Sequence, residues 1–466
     1  MKTKLCDEST NFSECELLIL RLQIDESEKK QKKIQRMEHS VELNDMFSII
    51  EKFLKRKRNV CYGGIAINAL LPENDKIYSA DELPDYDFFS VNALNDAKEL
   101  ADIYVKHGYT QVEAKSGQHH GTYKVFVNFQ GMADITNVPK GLFNVIKQRS
   151  VNVNGILYTD ANFLRMSMYL ELSRPAGDTS RWEKVFKRLV LINKYYPIPN
   201  NNCDKIYYQR KMEDTIKEPE IYEIVKETLI NNDVVFFGGF AIEKYSKYMP
   251  TKIHNMVNKI ADFDVLSNDP LKTANNVKKE LHNNGIQNVT ILKKSAIGEI
   301  LPLNYEIKVG NDTIAFIYEP LGCHSYNVIT LNYKKIKIAT IDTMLSFYLA
   351  FTYANKPYYD NARILCMSTF LFEVQKQNRL EQKGLLKRFS IDCYGHQPRI
   401  EDIKKEKADK FIELKHKRGT REYDEWFLNY VPLEHKNRQY KNNKTRSKLH
   451  KVKKSKTFKK KKGYFW

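Results

Sequence analysis

The sequence predicts an α/β (α+β) protein in which one domain occurs twice in tandem. Two adjacent glycines are followed by two aspartates one residue apart, and the chain contains this pattern twice. The second glycine pair begins 175 residues after the first, and the second aspartate pair 177 residues after the first. The motifs are CYGGIAI at 61–67 with DYDFFS at 85–90, and FFGGFAI at 236–242 with DFDVLS at 262–267. Two motifs repeated in the same order at matched spacing indicate a duplicated domain.

The two copies lie between a helical start and a basic end. The N-terminal segment is charged and helical by pattern, and Val41–Lys57 has the spacing of an amphipathic helix that enters the first copy. We expect a helical charged segment at 1–45, the first copy at 46–199, the second copy at 200–380, a charged helical extension at 381–435 and a basic tail at 436–466.

Asp85 and Asp87 carry the clearest chemistry of the first copy. In an extended strand their side chains point to one face, while Tyr86 and Phe88 point to the other. Two carboxylates this close repel each other unless a divalent cation lies between them. Oxygen ligands of this kind suit Mg²⁺ or Mn²⁺, which complete their coordination with water and substrate phosphates.

The glycine pair Gly63 and Gly64 provides a place for phosphate. Because glycine has no Cβ, phosphate oxygens can approach the backbone N–H groups closely. Residues 65–71 predict the start of a helix, whose free N–H groups favour an anion. The strand, glycine turn, helix and acidic strand together predict a site for a nucleoside triphosphate and metal ions.

A third aspartate, Asp134, is predicted to join the aspartate pair. Residues 122–128 and 132–136 predict the two strands of a hairpin, with a turn at 129–131. This hairpin places Asp134 beside the pair, where it can hold a second metal and make a ligated hydroxyl a better nucleophile. The first copy therefore contains a complete set of three carboxylates.

The second copy has the same hairpin but a different residue at the third position. Aligning Ala133 with Ala315 places Phe316 where Asp134 stands. A phenylalanine cannot bind a metal. We therefore predict that the first domain is active and the second is degenerate and structural, although it retains its aspartate pair.

A basic helix is predicted after the first hairpin. Residues 159–172 predict one helix, and Ser180 with Glu183 has the pattern of a capping box for the next. Arg181 and Lys184 lie on the polar face of that second helix. We assign Arg181 and Lys184 as candidate nucleotide-binding residues; an RNA backbone or plain solvent would suit the same face equally.

These motifs resemble the signature of the DNA polymerase β-like nucleotidyltransferases, a Gly-Gly or Gly-Ser turn followed by Asp-x-Asp and a later Asp. The gap between Gly64 and Asp85 is longer than in the commonest form of that signature. The run MYLELSRPAGDTSRWEKVFKRL at 168–189 is similar to the poly(A) polymerase catalytic subunits of large nucleocytoplasmic DNA viruses, of the giant-virus type more than the poxvirus type. The resemblance covers about residues 45–380 and includes a tandem of one active and one degenerate transferase domain.

The resemblance implies template-independent transfer of AMP from ATP to an RNA 3′ end, with release of pyrophosphate, in mRNA processing for a large DNA virus. Asp85, Asp87 and Asp134 would be catalytic and hold Mg²⁺ or Mn²⁺, with Gly63 and Gly64 at the triphosphate. It further implies a homodimer, or else a cap-methyltransferase-type processivity partner as in poxviruses. The expected location is the host cytoplasm (the viral factory), the virion, or both.

The composition is that of a folded chain with more than one domain, with 466 residues, 42% of them hydrophobic and 12% aromatic. The seven cysteines form no Cys-x-x-Cys pair, so we expect reduced thiols in a cytosolic setting. We find neither a signal peptide nor an apolar run of about 18 residues, and expect neither secretion nor a membrane span.

The net charge of +19 is concentrated at the C-terminal end. Residues 436–466 contain 14 Lys and Arg and no acidic residue, which leaves +5 for the rest of the chain. A block such as Lys459–Lys462 repels itself and does not pack, which predicts a disordered tail. We favour an RNA-binding tail, because neutralised phosphates release counterions whatever the sequence. A nuclear localisation signal or a solubilising end is the alternative.

Two other functions stay open on the residues alone. One is a different RNA-tailing or oligoadenylate-forming nucleotidyltransferase, because nothing in the glycine and aspartate motifs selects the base. The other is a non-catalytic RNA-binding protein in which both transferase domains are relics. The complete set of Asp85, Asp87 and Asp134 argues against the second, since a relic is expected to lose ligands.

Overall fold

The computed structural model describes residues 6, 10–78, 86–199, 203, 217–249, 251–257 and 262–432. Asp85 and the predicted tail at 436–466 lie outside the described residues. The elements up to residue 199 are α1 (Phe12–Lys57), β1 (Val60–Cys61), α2 (Gly63–Leu70), β2 (Tyr86–Ser90), α3 (Ala93–Lys106), β3 (Val112–Ser116), β4 (Thr122–Val127), β5 (Gln130–Asn137), α4 (Lys140–Arg149), β6 (Val151–Val153), β7 (Ile156–Tyr158), α5 (Ala161–Leu172) and α6 (Trp182–Tyr195).

The elements after residue 217 are α7 (Glu218–Asn231), β8 (Val235–Phe236), α8 (Gly239–Ser246), α9 (Thr251–Met256), β9 (Phe263–Leu266), α10 (Pro270–Asn283), β10 (Val289–Lys294), β11 (Asn304–Val309), β12 (Asp312–Tyr318), β13 (His324–Leu331), β14 (Lys334–Ala339), α11 (Ile341–Phe351), α12 (Asn361–Gln377), β15 (Cys393–Tyr394), α13 (Ile400–Leu414), α14 (Arg421–Phe427) and β16 (Asn429–Tyr430). Short 3₁₀ turns occur at Glu73–Asp75, Thr179–Arg181, Gly384–Leu386 and Lys415–Lys417.

The described strands form two eight-stranded sheets with the same internal order. The first sheet has the order β16-β3-β4-β5-β2-β1-β7-β6, and the second has the order β10-β11-β12-β9-β8-β14-β13-β15. Apart from the edge strands β16 and β15, each strand of the second sheet corresponds to the strand of the first sheet whose number is lower by seven. Strand β8 thus corresponds to β1, and β14 corresponds to β7. The mixed α/β class predicted from the sequence is confirmed, and the repeated strand order agrees with a duplicated domain.

The chain divides into two compact units. The first comprises residues 1–137, 153–157 and 410–466, and the second comprises residues 138–152 and 158–409. The first unit therefore contains strands β1 to β5, and the whole second sheet lies in the second unit. Helices α4, α5 and α6 follow the first copy of the motif in sequence but group with the second unit.

Helix α1 begins and ends with recognisable caps. The Asn11 side chain accepts from the Glu14 backbone N–H, and the Glu14 carboxylate accepts from the Asn11 backbone N–H, which forms a capping box. Arg58 ends the helix in the left-handed conformation, with φ 54°. Near this end Ile50 and Phe53 are buried, as the amphipathic pattern predicts. None of the described helices combines the length and the apolarity needed to cross a membrane.

The hairpins of the two copies begin where the alternating pattern predicts, but the first turn is placed differently. Strands β4 and β5 are joined by Asn128 and Phe129, both with positive φ, so Gln130 and Gly131 belong to the second strand and not to the turn. A register shift between Val125 and Phe126 absorbs the extra residue. The predicted turn at 129–131 is therefore wrong: the turn is at 128–129, so the prediction begins one residue late and ends two residues late.

Six of the seven cysteines are paired, contrary to the expectation of reduced thiols. The disulfides join Cys6 to Cys15, Cys203 to Cys366 and Cys323 to Cys393. Only Cys61 is free, and it is buried. Two of the pairs link residues 163 and 70 positions apart, so spacing along the chain gave no indication that the sulfur atoms meet.

Candidate active site

Strands β2 and β5 bring two of the predicted carboxylates together. These strands pair in parallel, and Asp87 and Asp134 are direct register partners. The flanking positions of both strands are buried, whereas both aspartates are half-exposed, so the carboxylates lie where the sheet opens to solvent. Asp85, one residue before β2, is outside the described residues. The predicted neighbourhood of Asp87 and Asp134 is present.

The glycine turn lies directly against Asp87. Gly63 has φ +67°, a conformation that favours glycine, and a Cβ placed on it would lie 2.9 Å from Asp87 Oδ2. The Tyr62 backbone N–H donates to the Asp87 carbonyl at 2.9 Å. Helix α2 begins at Gly63 with no hydrogen bond from the side chain of its N-cap residue Tyr62, and backbone N–H groups at the start of a helix favour an anion. Gly63 thus also makes room for the Asp87 carboxylate, a role that the sequence alone did not indicate.

Lys124 is a residue of this site that the sequence pattern did not indicate. It is the register partner of Asp134 across β4 and β5, and its ammonium donates to Asp134 Oδ2. Both side chains are about two-fifths exposed, at 41% and 35%. A cationic group therefore already lies against the third carboxylate. The signal available in the sequence was only a lysine on the predicted hairpin strand next to Asp134.

Tyr62 and Cys61, the two residues before Gly63, complete the surroundings of Asp87. The Tyr62 ring stacks on Phe89 with a 4.0 Å centroid distance, and the Tyr62 hydroxyl lies 2.9 Å from Thr136 Oγ1. Burial raises the pKa of the Cys61 thiol far above its usual range, and the charges of Asp87 and Glu51 add to this shift. Cys61 is therefore a neutral core thiol beside the site and not a nucleophile.

The second unit repeats the geometry with a different chemical outcome. Asp264 is the register partner of Phe316 across the parallel strands β9 and β12, as Asp87 is of Asp134. A Cβ on Gly238 would lie 2.2 Å from Asp264 Oδ2, so a glycine is again packed against the aspartate. Phe316 is fully buried, however, and its ring lies 5.3 Å from that of Tyr358.

The position of Lys124 is also changed in the second unit. Its counterpart is Glu306, the register partner of Phe316. Glu306 accepts from Thr313 Oγ1 at 2.6 Å and pairs with Lys294 at 2.9 Å. Burial would raise the pKa of Glu306, but the hydrogen bonds from Thr313 and Lys294 outweigh it and lower the pKa. Where the third carboxylate is absent, its lysine partner is absent too.

Arg181 and Lys184 lie in the second unit, whereas Gly63, Gly64 and the aspartates lie in the first. Both basic side chains are exposed, and Arg181 Nε pairs with Glu171 at 3.2 Å. The predicted capping box is wrong. Asp178, not Ser180, caps this segment, because its carboxylate accepts from the Ser180 N–H and a 3₁₀ turn precedes α6. The assignment of Arg181 and Lys184 to the nucleotide stays a prediction.

The segment that contains the glycine pair, Asp87 and Asp134 matches a known protein family. Residues 48–178 match the family described as "Poly(A) polymerase catalytic subunit". The resemblance predicted from the sequence is confirmed. A mimivirus protein that carries the name of a poly(A) polymerase catalytic subunit is 34% identical over 157 residues, which are 33% of this chain and 26% of that protein. An African swine fever virus protein with the same name is 32% identical over 199 residues, which are 41% of this chain and 42% of that protein.

The fold is also similar to that of a solved viral protein. The crystal structure of the Megavirus polyadenylate synthase superposes with a TM-score of 0.76 at 20% identity, and the match covers 96% of this chain and 92% of that one. The matches to the curated poly(A) polymerase subunits span less than half of those proteins' length. The structural match extends the common fold over both sheets, beyond the segment that the family itself covers.

Proposed function

We propose that this chain is a poly(A) polymerase, a nucleotidyltransferase that transfers AMP from ATP to an RNA 3′ end without a template and releases pyrophosphate. The observation that carries this proposal is the pairing of Asp87 with Asp134 against the Gly63 turn. Within the described part of the chain only the first unit has this combination, and the family match covers the same residues. The confirmed viral resemblance supports a role in viral mRNA processing.

The donor set fits Mg²⁺ or Mn²⁺. Asp87 and Asp134 offer hard carboxylate oxygens at adjacent register positions, and Asp85 is proposed as the third ligand. The Lys124 ammonium against Asp134 indicates that a positive charge suits this position. Bound metal ions would supply charge stabilisation at the transferring phosphoryl group and an activated 3′ hydroxyl.

The other residues of the site have separate tasks in this proposal. The N–H groups at the start of α2 bind the triphosphate oxygens, and Gly63 and Gly64 keep that approach free of side-chain atoms. Tyr62, held by its stack on Phe89, fixes the strand that carries Asp87. Arg181 and Lys184 are proposed as additional phosphate contacts.

A tailing assay with the purified full chain tests the proposal. A labelled RNA oligonucleotide is incubated with each of the four nucleoside triphosphates in turn, with Mg²⁺ or Mn²⁺. We expect extension with ATP and loss of extension in Asp134→Asn. Extension with UTP in preference to ATP would identify a different tailing enzyme. No extension with any nucleotide would favour a relic RNA-binding protein.

We further propose a homodimer acting in the host cytoplasm, in viral factories, or packaged in the virion. The proposal rests on the viral resemblance. Light scattering of the purified chain measures its mass in solution and tests the dimer. A monomer that makes long tails only after a cap-methylating protein is added would favour the processivity-partner arrangement instead.

A further inference from the structure

The turn between β13 and β14 contains a tyrosine in an unfavourable backbone conformation. Asn332 and Tyr333 have φ values of 48° and 61°, so both central residues of this turn are left-handed. Glycine is strongly preferred at the second position of such a turn, and a bulky side chain is strained there. The Tyr333 side chain is also fully exposed, with a relative exposure of 102%. Neither backbone preference nor packing favours tyrosine at this position.

The first sheet contains the equivalent hairpin, and the turn of that hairpin has glycine at the second position. Strands β6 and β7 occupy the places in the first sheet that β13 and β14 occupy in the second. Their turn is Asn154–Gly155, with φ values of 53° and 86°. The chain thus uses Asn-Gly in one copy and Asn-Tyr in the other. A strained and exposed residue, where the equivalent turn has glycine, indicates a role other than stabilising the fold.

The charges around Tyr333 indicate what it contacts. We call residues 324–339 the Tyr333 hairpin; they contain three lysines and no acidic residue. Lys335 is exposed and forms no ion pair with a described residue. Lys337 is mostly buried and pairs with Asp233 at 2.6 Å. Lys334 pairs with Glu227 at 2.5 Å, but both side chains are more than two-fifths exposed, and so exposed a pair contributes little to stability and can be exchanged for phosphate.

We propose that the Tyr333 hairpin is a contact surface for single-stranded RNA. Tyr333 stacks on a base, and Lys334 and Lys335 contact the neighbouring phosphates. An aromatic ring beside lysines is the combination that binds single strands without regard to sequence. The inference rests on the proposed function in one respect, that RNA is the acceptor, and goes beyond it by naming a binding surface in the second unit.

A second exposed aromatic turn in the chain provides a matched control. Phe129, in the turn between β4 and β5, has φ 66° and is 85% exposed. Its neighbour Asn128 donates to Glu42 at 2.5 Å, and the hairpin at 122–137 has one lysine and one aspartate. Phe129 therefore has the strain and the exposure of Tyr333 without the positive surroundings.

The experiment compares RNA affinity and stability in variants of the full chain. Binding of a fluorescein-labelled oligoadenylate is measured by anisotropy at several salt concentrations, and Tm is measured in parallel. We expect Tyr333→Gly to weaken binding about fivefold or more, the loss of one stacked base. Tyr333→Phe retains the ring and should bind within about twofold of wild type. Phe129→Gly should leave the affinity unchanged, and neither glycine variant should lower Tm.

A lysine variant tests the phosphate contact separately. Lys335→Gln should reduce the slope of log affinity against log salt by about one. An unchanged affinity in Tyr333→Gly, or an equal loss in Phe129→Gly, overturns the inference while the catalytic proposal stands. If the wild-type chain binds no oligoadenylate but still extends an RNA primer, the inference also fails and the proposed function survives. If it does neither, both fail.

Discussion

Asp87 and Asp134 are register partners on parallel strands, and the equivalent pair in the second unit is Asp264 and Phe316. The two sheets share their internal strand order, but only in the first does this pair of register positions carry two carboxylates. Asp264 is only 8% exposed and Phe316 is fully buried, so the second position is part of a core. The difference leads directly to a test of which unit performs the chemistry.

We expect Asp85→Ala, Asp87→Ala and Asp134→Ala each to reduce nucleotide addition about 100-fold or more, because lost metal coordination removes transition-state stabilisation. Asp264→Ala should leave addition close to wild type. Primer extension measures the rates, and circular dichroism checks the fold. More than a tenth of wild-type activity in a first-copy variant would contradict the metal assignment. Abolished activity in a folded Asp264→Ala would contradict the degenerate second copy.

Lys124→Gln should increase the affinity of the site for Mn²⁺ about two- to fivefold. The Lys124 ammonium competes with a metal ion for Asp134, and its removal leaves the carboxylates to repel each other until a cation binds. Electron paramagnetic resonance of Mn²⁺ measures binding without turnover. Lys187→Gln, which removes an exposed helix ion pair, is the control. Weaker Mn²⁺ binding in Lys124→Gln would show that the lysine orients Asp134 instead of competing.

The glycine variants should separate catalysis from stability. Gly63→Ala is expected to lower activity at least about tenfold, because the positive φ becomes strained and the new Cβ displaces the Asp87 carboxylate. Gly238→Ala should lower the free energy of unfolding by about 1–3 kcal/mol, because its Cβ would lie 2.6 Å from the Asp264 Cβ. Activity and urea unfolding distinguish the two. A fully active Gly63→Ala would show that the close approach of Gly63 to Asp87 is not required for catalysis.

His324 should make the stability of the second unit sensitive to acid. Burial lowers the pKa of His324 well below 6.5, and the charge of Arg174 adds to this shift. The unfolded chain therefore takes up a proton below about pH 6.5 that the folded chain does not. Stability is retained above that pH and falls by up to about 1.4 kcal/mol per pH unit below it.

The His324 prediction is checked by urea unfolding at about pH 5 and about pH 7.5. In His324→Leu the loss on acidification should be smaller than in wild type. His119→Gln, at an exposed histidine, should keep the wild-type dependence. Equal pH dependence in wild type and His324→Leu would show that another group controls acid stability.

Deletion of residues 436–466 should preserve addition of the first nucleotides but shorten the tails made per encounter. The 14 cations of this segment can strengthen RNA retention but lie far along the chain from the aspartates. The truncated chain should also show a shallower salt dependence of RNA affinity. An unchanged length of the poly(A) product together with an unchanged salt slope would identify residues 436–466 as a localisation signal or a solubilising end.

Much of the site could be predicted because it depends on local pattern. The alternation in residues 85–90 and the Gly-Gly step fix a strand and a turn. The alignment of Ala133 with Ala315 is enough to place Phe316 at the position of the third aspartate. Lys124 could not be predicted in the same way. Its contact with Asp134 depends on a hairpin register that includes a bulge, and no single-residue pattern encodes that shift.

The sequence by itself was enough to predict the mixed α/β class, the repeated glycine and aspartate motifs, and Phe316 at the position of Asp134, because these follow from residue type and spacing. The tertiary structure decided which atoms meet: Gly63 against Asp87, Lys124 against Asp134, and the pairing of Cys203 with Cys366. The tertiary structure also decided that Tyr333 has a left-handed backbone conformation in a turn and is exposed to solvent. Such contacts depend on strand register and chain packing, which are set by the whole core and not by neighbours in sequence.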